Sequence, residues 1–288
     1  MPSPDQRSKA EAFRALHRAG SPLLLANVWD VASARTIEEA GFPAVATSSA
    51  AIAYSQGYPD GQKIPPDLMI RAIERMASAV GLPVTADVEA GYGNKPGDAA
   101  RTAHEVIQAG AVGMNLEDAT GNSDHPLFDL SLQLEKIRAV REAAQRLGTP
   151  LVLNARTDVY LLEIGEPGKR YGEALDRLAA FRDAGADSVF APGLTHAPTI
   201  GRLVRDLKCP LNILAVPGSP TVSELAALGV SRISLGSGPM RATLGLLRRL
   251  ATELKTEGTY RSMEGAPTYA QMNALMSAHS KQSTEDET

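Results

Sequence analysis

Eight short apolar runs recur along the chain: Leu23–Ala26, Ala44–Thr47, Val84–Asp87, Val112–Leu116, Leu151–Asn154, Ser188–Phe190, Asn212–Ala215 and Arg232–Leu235. An extended segment sends successive side chains to opposite faces, and these runs are apolar on both parities. That pattern predicts parallel strands covered on both sides. Longer amphipathic stretches separate them, including Pro66–Val80, Asp98–Ala109, Leu130–Leu147 and Tyr171–Ala184. Eight strand–helix units in one unbroken series predict an α/β fold of the closed (β/α)8 barrel type; an open doubly wound sheet shares the alternation. Ala40-Gly41, Ala109-Gly110, Ala184-Gly185 and Leu228-Gly229 each end a helical stretch just before a strand. Glycine there suits the left-handed turn that stops a helix. Ser8–Ala19 reads as an N-terminal helix over the barrel bottom, Met240–Leu254 as the eighth helix, and Tyr269–His279 as one helix too many. A single domain is expected, with the barrel over about residues 20–256 and a C-terminal helical extension over 257–288.

The length of 288 residues is close to the roughly 250 of one such barrel, so no second domain is needed. A formal net charge of −4 and the lack of any basic run argue against nucleic acid or an anionic membrane as partner. The polar start of the chain does not resemble a signal peptide, and no run is long and apolar enough to span a bilayer. A lone Cys209 excludes an intrachain disulfide framework, and a cytoplasmic location is expected.

Barrels of this type take their chemistry from the C-terminal ends of the strands. The third strand ends Asp87-Val88-Glu89-Ala90-Gly91-Tyr92-Gly93, with Asp87 and Glu89 on one side of an extended chain. Two carboxylates at one strand mouth repel unless a proton or cation intervenes. Mg²⁺ fits, since it takes hard oxygen ligands and needs only one or two carboxylates; a solvated acidic loop is the plainer alternative. The fourth strand supplies Asn115 and Glu117 on one parity, and the fifth supplies Arg156. This ring is either a structural ion-pair layer or a metal faced by a carboxylate-binding arginine. Small residues after the second strand, Ser48-Ser49-Ala50, could gather amides and hydroxyls on an anion. Asp60 stands in Pro59-Asp60-Gly61, which is also ordinary turn chemistry. Asn212 either reaches substrate or belongs to an inward amide layer. His125 is a candidate loop acid or a solvated loop residue, and Trp29 either walls the pocket or packs. Gly236-Ser237-Gly238 is either a phosphate cup or a plain helix start.

Taken together, Ser48-Ser49-Ala50, Gly57-x-x-Asp60, Asp87-x-Glu89-x-Gly91-Tyr92-Gly93, Leu116-Glu117-Asp118 and Ala155-Arg156 resemble the isocitrate lyase/phosphoenolpyruvate mutase superfamily over roughly residues 20 to 240. The resemblance implies that Ser48, Ser49 and Ala50 grip a substrate carboxylate. It implies that Asp87 binds Mg²⁺, with Mn²⁺ as a substitute, while Asp60, Glu89 and Glu117 hold its waters and Arg156 meets the oxo-acid end. The family usually has Asp-x-Asp where this chain has Asp87 and Glu89. Lyases of isocitrate and methylisocitrate carry Lys-x-Cys-Gly-His after the fourth strand; here Ala119–Pro126 holds neither lysine nor cysteine. Cys209, before the seventh strand, belongs to the opposite mouth. Phosphonate-processing members have a histidine where this chain has Pro192.

These departures leave a metal, an anion cradle and an arginine. The set suits a lyase working through the enolate of a small 2-oxo or 2-hydroxy carboxylic acid, with oxaloacetate decarboxylation first, and with Asp60, Glu117 and Arg156 as its catalytic candidates. The alternatives are a 2-oxo-acid-binding protein with little turnover and a phosphonate- or phosphate-handling member. A homo-oligomer, dimer or tetramer, is expected from the surplus C-terminal helix and from the family's habit of exchanging such helices.

Overall fold

The computed structural model describes residues 3–18 and 20–277. In chain order the elements are α1 (Pro4–Ala15), β1 (Leu23–Leu25), β2 (Asn27–Val28), α2 (Val31–Glu39), β3 (Val45–Thr47), α3 (Ser49–Ser55), α4 (Pro66–Ala79), β4 (Val84–Asp87), α5 (Pro96–Gln108), β5 (Gly113–Glu117) and α6 (Leu130–Leu147). There follow β6 (Val152–Arg156), α7 (Arg170–Asp183), β7 (Ser188–Phe190), α8 (Ala197–Leu207), β8 (Leu211–Leu214), α9 (Val222–Ala227), β9 (Arg232–Ser234), α10 (Gly238–Thr256), a short 3-10 turn (Arg261–Met263) and α11 (Tyr269–Ser277).

All strand pairs are parallel, and the order runs β1-β9-β8-β7-β6-β5-β4-β3-β2. β1 and β2 are two halves of one stave, separated by Ala26: the first half pairs with β9 and the second with β3. The ring therefore closes as eight staves, which decides for the barrel over the open sheet. Asn27 seals the seam. Its Nδ2 donates to the Thr47 carbonyl at 2.8 Å, and its Oδ1 accepts from the Leu235 and Gly236 amides, both at 2.8 Å.

The strand boundaries move by a residue or two from the sequence reading, because backbone pairing and not apolar content sets them. β5 and β6, the fourth and fifth runs of the sequence, extend to Glu117 and Arg156, since those two residues still pair with each other. All four helix-stopping glycines adopt the left-handed conformation, with φ of 80°, 89°, 112° and 88° at Gly41, Gly110, Gly185 and Gly229.

α1 begins at Pro4, four residues before the expected start, because Ser3 caps it by accepting from the Gln6 amide at 3.1 Å. Ala19, the last residue of the expected helix, lies outside the described residues. α1 does cover the barrel bottom. Phe13 is fully buried there, and Gly113 makes room for it: a Cβ at 113 would come within 2.8 Å of the ring. α11 occupies Tyr269–Ser277, and positions 278 and 279 of the predicted helix lie outside the described residues. It rests on α2 of its own chain, where Arg35 donates to the Leu275 carbonyl at 3.0 Å, yet it buries no residue. Among the described residues no helix is long and apolar enough to cross a membrane.

Candidate active site

Strand register sorts the interior into layers. Asp87, Asn115, Asn154 and Ser188 stand side by side on four neighbouring strands. Their side chains form one hydrogen-bonded row. Ser188 Oγ donates to Asn154 Oδ1 at 2.7 Å, Asn154 Nδ2 to Asn115 Oδ1 at 2.8 Å, and Asn115 Nδ2 to Asp87 Oδ1 at 3.2 Å. The other Asp87 oxygen accepts from the amide and the hydroxyl of Ser49, at 3.0 and 2.8 Å. Asp87 is thus gripped from two sides at the end of its strand, with its backbone amide held by Thr47 Oγ1 at 2.8 Å.

Ser48, Ser49 and Ala50 are not an irregular loop. Ser48 caps α3, its hydroxyl accepting from the Ala51 amide at 3.3 Å, and Ser49 and Ala50 form the first turn. The first turn of the helix stands beside Asp87, with the Ser49 amide donating to that carboxylate and the Ala51 amide to the Ser48 hydroxyl.

Glu89 follows in the left-handed conformation (φ 52°), as do Tyr92 (φ 52°) and Gln62 (φ 58°). Non-glycine residues rarely adopt it, and three around one mouth mark a site whose surroundings hold the strain. All three meet at Glu89, which accepts from the Gln62 amide on one oxygen and from the Tyr92 hydroxyl, at 3.4 Å, on the other. The loop carrying Gln62 also carries Asp60, which lies at the exposed rim and within electrostatic reach of Asp87.

Glu117 and Arg156 form the neighbouring layer, with Arg156 Nη1 at 2.7 Å from Glu117 Oε2. Asp158 takes the rest of the fork: Nε donates to its Oδ1 at 2.5 Å and Nη2 to its Oδ2 at 2.9 Å. Asp158 is not among the candidates the sequence suggested. The signal was present, since Arg156 and Asp158 are two apart at a strand end. Asp118 points the other way, as its parity requires, and is fully buried against the Thr157 hydroxyl (2.7 Å), the Asp158 amide (2.9 Å) and Arg177 (3.3 Å). From outside the barrel, buried Lys136 on α6 donates to the Gly93 carbonyl at 3.1 Å and pins the glycine turn below the mouth.

The other candidates fall away from this cluster. Asn212 is fully buried and exchanges hydrogen bonds with Ser234 at 3.3 Å. His125 is exposed on its loop, and Trp29 is half-buried against the core. Two amides of the Gly236–Gly238 turn are already spent within the chain, Gly236 on Asn27 and Gly238 on the Leu235 carbonyl, which weakens it as a phosphate cup. Cys209 is half-buried on the core just before β8, at the mouth opposite Asp87, and burial pushes its thiol up to about 11.

The charges at the mouth do not balance. Asp87 acts on Asp60, Glu89 and Glu117, Asp158 acts on Asp60 and Glu117, and Arg156 is the cation set among them. Burial, then Asp60 and Asp87, raises the Glu89 carboxyl to about 7. Burial and Asp87 raise Asp60. Burial raises Glu117 well up, although Arg156 opposes it. Burial would lower Arg156, but Glu117 and Asp158 outweigh it and hold the guanidinium firmly charged. Among the described residues no three Asp, Glu, His or Cys side chains form a ready-made metal cage. A donor set of carboxylates with hydroxyl and amide supports nevertheless suits a hard cation that keeps its waters, as Mg²⁺ does. Asp87 would be its anchor, with Asp60, Glu89 and Glu117 around it.

The chain is similar to known proteins along most of its length. A structure from Burkholderia cenocepacia, described as a candidate lyase or mutase, is 41% identical and superposes with a TM-score of 0.88, over 94% of this chain and 96% of that one. The 2-methylisocitrate lyase of Salmonella typhimurium is 28% identical over 89% of this chain and 88% of its own. An oxaloacetate decarboxylase of Rhodopseudomonas palustris is 28% identical over 90% and 89%. The phosphoenolpyruvate phosphomutase family profile matches residues 13–255, so the chain belongs to the isocitrate lyase/phosphoenolpyruvate mutase superfamily of lyases and mutases.

Proposed function

We propose that this protein is a Mg²⁺-dependent lyase that cleaves a C–C bond of a small 2-oxo acid, with oxaloacetate decarboxylation as the first candidate. The observation that carries the reading is the surplus of carboxylates at the mouth, ringed around one clamped arginine. Bound Mg²⁺ supplies the positive charge that a developing enolate requires. Asp87, oriented by Ser49 and Asn115, would hold the cation, and Asp60, Glu89 and Glu117 would hold its waters. Arg156, with its charge secured by Asp158 and Glu117, faces the oxo-acid carboxylate, and the first turn of α3 at Ser48–Ala50 takes the other anionic end.

In decarboxylation of oxaloacetate the C3–C4 bond breaks, CO₂ departs, and its electron pair stays on C3 as the enolate. A proton at C3 then gives pyruvate. The leaving group needs no general acid, which fits the chain's lack of a lysine or cysteine in Ala119–Pro126. Cleavage of a hydroxy acid would need a base for its hydroxyl.

Assay of the purified protein with Mg²⁺, and with the metal chelated, tests the reading. Oxaloacetate should be turned over only with metal, isocitrate and methylisocitrate poorly if at all, and Cys209→Ser should change nothing. Efficient glyoxylate or pyruvate release from the latter two would show that another group supplies the missing acid–base chemistry. Metal-dependent binding of pyruvate without turnover of any oxo acid would favour a binding protein.

The acid cluster also makes a prediction about pH. Glu89 rises from an ordinary 4.5 to about 7 in the folded chain. The metal-free fold therefore binds the proton more tightly than the unfolded chain, and this stabilisation is lost as pH rises from 4.5 through 7. At about 1.4 kcal/mol per unit the loss is on the order of 3 kcal/mol. Thermal unfolding without metal should show that decline, and Mg²⁺ should offset it above neutral pH. A midpoint indifferent to Mg²⁺ at pH 8 would contradict the site.

The protein is expected to act as a cytoplasmic homo-oligomer, a dimer or tetramer. Leu247 and Leu254 on α10 and Tyr269 on α11 are 58%, 59% and 86% exposed. Covering such surface is worth about 25 cal/mol per Å². Sedimentation of the full chain against one ending at Gly265 should show smaller species on truncation; a monomeric full chain rejects the assembly.

A further inference from the structure

Beneath the acid cluster lies another buried cation. Arg232, the first residue of β9, is fully buried inside the barrel, and among the described residues no carboxylate lies within ion-pair distance of it. One Nη donates to Asn115 Oδ1 at 3.3 Å. The other faces His17 Nε2 at 3.5 Å, and Nε has no partner. The guanidinium lies 5.8 Å from the centre of the Phe13 ring. Burying an unpaired cation is expensive, and an apolar side chain of similar volume would serve packing better. A cost of that kind needs a compensating role.

Asn115 supplies one. A side-chain amide can be seated in two ways, and its neighbours decide which. Its Oδ1 receives two donors, Arg232 from below and Asn154 from the side, so its Nδ2 is left to face Asp87. Without Arg232 the amide loses its charged donor, and Asn154 alone is left to hold its oxygen away from the carboxylate, so Asp87 is held less firmly in line. His17 completes the support: its Nδ1 meets the Phe13 carbonyl at 3.0 Å, which leaves Nε2 as the acceptor facing Arg232. The helix at the barrel bottom is thereby linked to the mouth through His17, Arg232 and Asn115.

We propose that Arg232 is a positioning residue that orients the Asp87 carboxylate from beneath through the Asn115 amide. The inference rests on the reading of Asp87 as the metal anchor. Arg232→Met should weaken Mn²⁺ binding, followed by electron paramagnetic resonance without substrate, by about 10- to 100-fold, the usual scale for groups that orient a metal ligand. Its thermal midpoint in saturating Mg²⁺ should equal or exceed that of the wild type, because a lone buried charge has gone. Arg232→Lys should recover part of the affinity. Combined with Asn115→Ala, Arg232→Met should add little further loss, since both act along one path. Unchanged Mn²⁺ affinity in Arg232→Met, full additivity with Asn115→Ala, or collapse of the fold would each overturn the proposal. Asp87→Ala, measured alongside, separates the two readings: if it too binds Mn²⁺ normally the anchor is misplaced, and if it alone loses the metal only the role of Arg232 falls.

Discussion

Asp87→Ala is expected to abolish metal-dependent turnover, by about three decades or more, since charge stabilisation by a bound metal is worth several kcal/mol. The barrel should persist. Asp87 stands at the last position of β4, and removing its carboxylate relieves repulsion from Asp60, Glu89 and Glu117. The loss should appear first in metal affinity, measured by calorimetry without substrate, and only then in rate. Ser49 and Asn115 would be left without their acceptor, so a small drop in thermal midpoint is also expected. Unchanged Mg²⁺ affinity in this variant would move the anchor elsewhere.

Arg156→Lys should be nearly as damaging despite keeping the charge. The guanidinium reaches Glu117 with one nitrogen and Asp158 with two others, in directions fixed by its plane. An ammonium is a point charge and cannot span both carboxylates in that geometry. Breaking a buried pair costs about 3–5 kcal/mol when a partner is lost outright. A retained but misplaced charge should cost less, and kcat/KM should fall on the order of 100-fold, equivalent to about 2.7 kcal/mol. Pyruvate affinity in the presence of Mg²⁺ should fall with it. If affinity and kcat/KM hold while the thermal midpoint drops, Arg156 is a structural ion pair and the oxo acid is bound by other groups.

Much of this molecule was legible in its sequence because parallel strands in a closed barrel are covered on both faces. That physical demand produced the runs from Leu23–Ala26 to Arg232–Leu235, and the helix-stopping glycines between them. It also made parity readable: Asp87 with Glu89, Asn115 with Glu117, and Arg156 with Asp158 share a side because side chains alternate along a strand. Asp118 was bound to face away and does, onto Arg177. What the sequence could not convey depends on which strand end stands beside which, and at what height. Register sets Asp87 level with Asn115 and Asn154, and lifts Glu117 and Arg156 to the layer above. It also buries Asn212 against Ser234, although its residue type alone fitted a substrate contact equally well. The strained backbone at Gln62, Glu89 and Tyr92 has no sequence signal, because it exists only where the surrounding fold holds it. Arg232 is the plainest case. Its place at the start of a strand run does not say what it meets, and only closure of the barrel over Phe13 and His17 places it under the acids, where distance and not sequence order gives its charge a purpose.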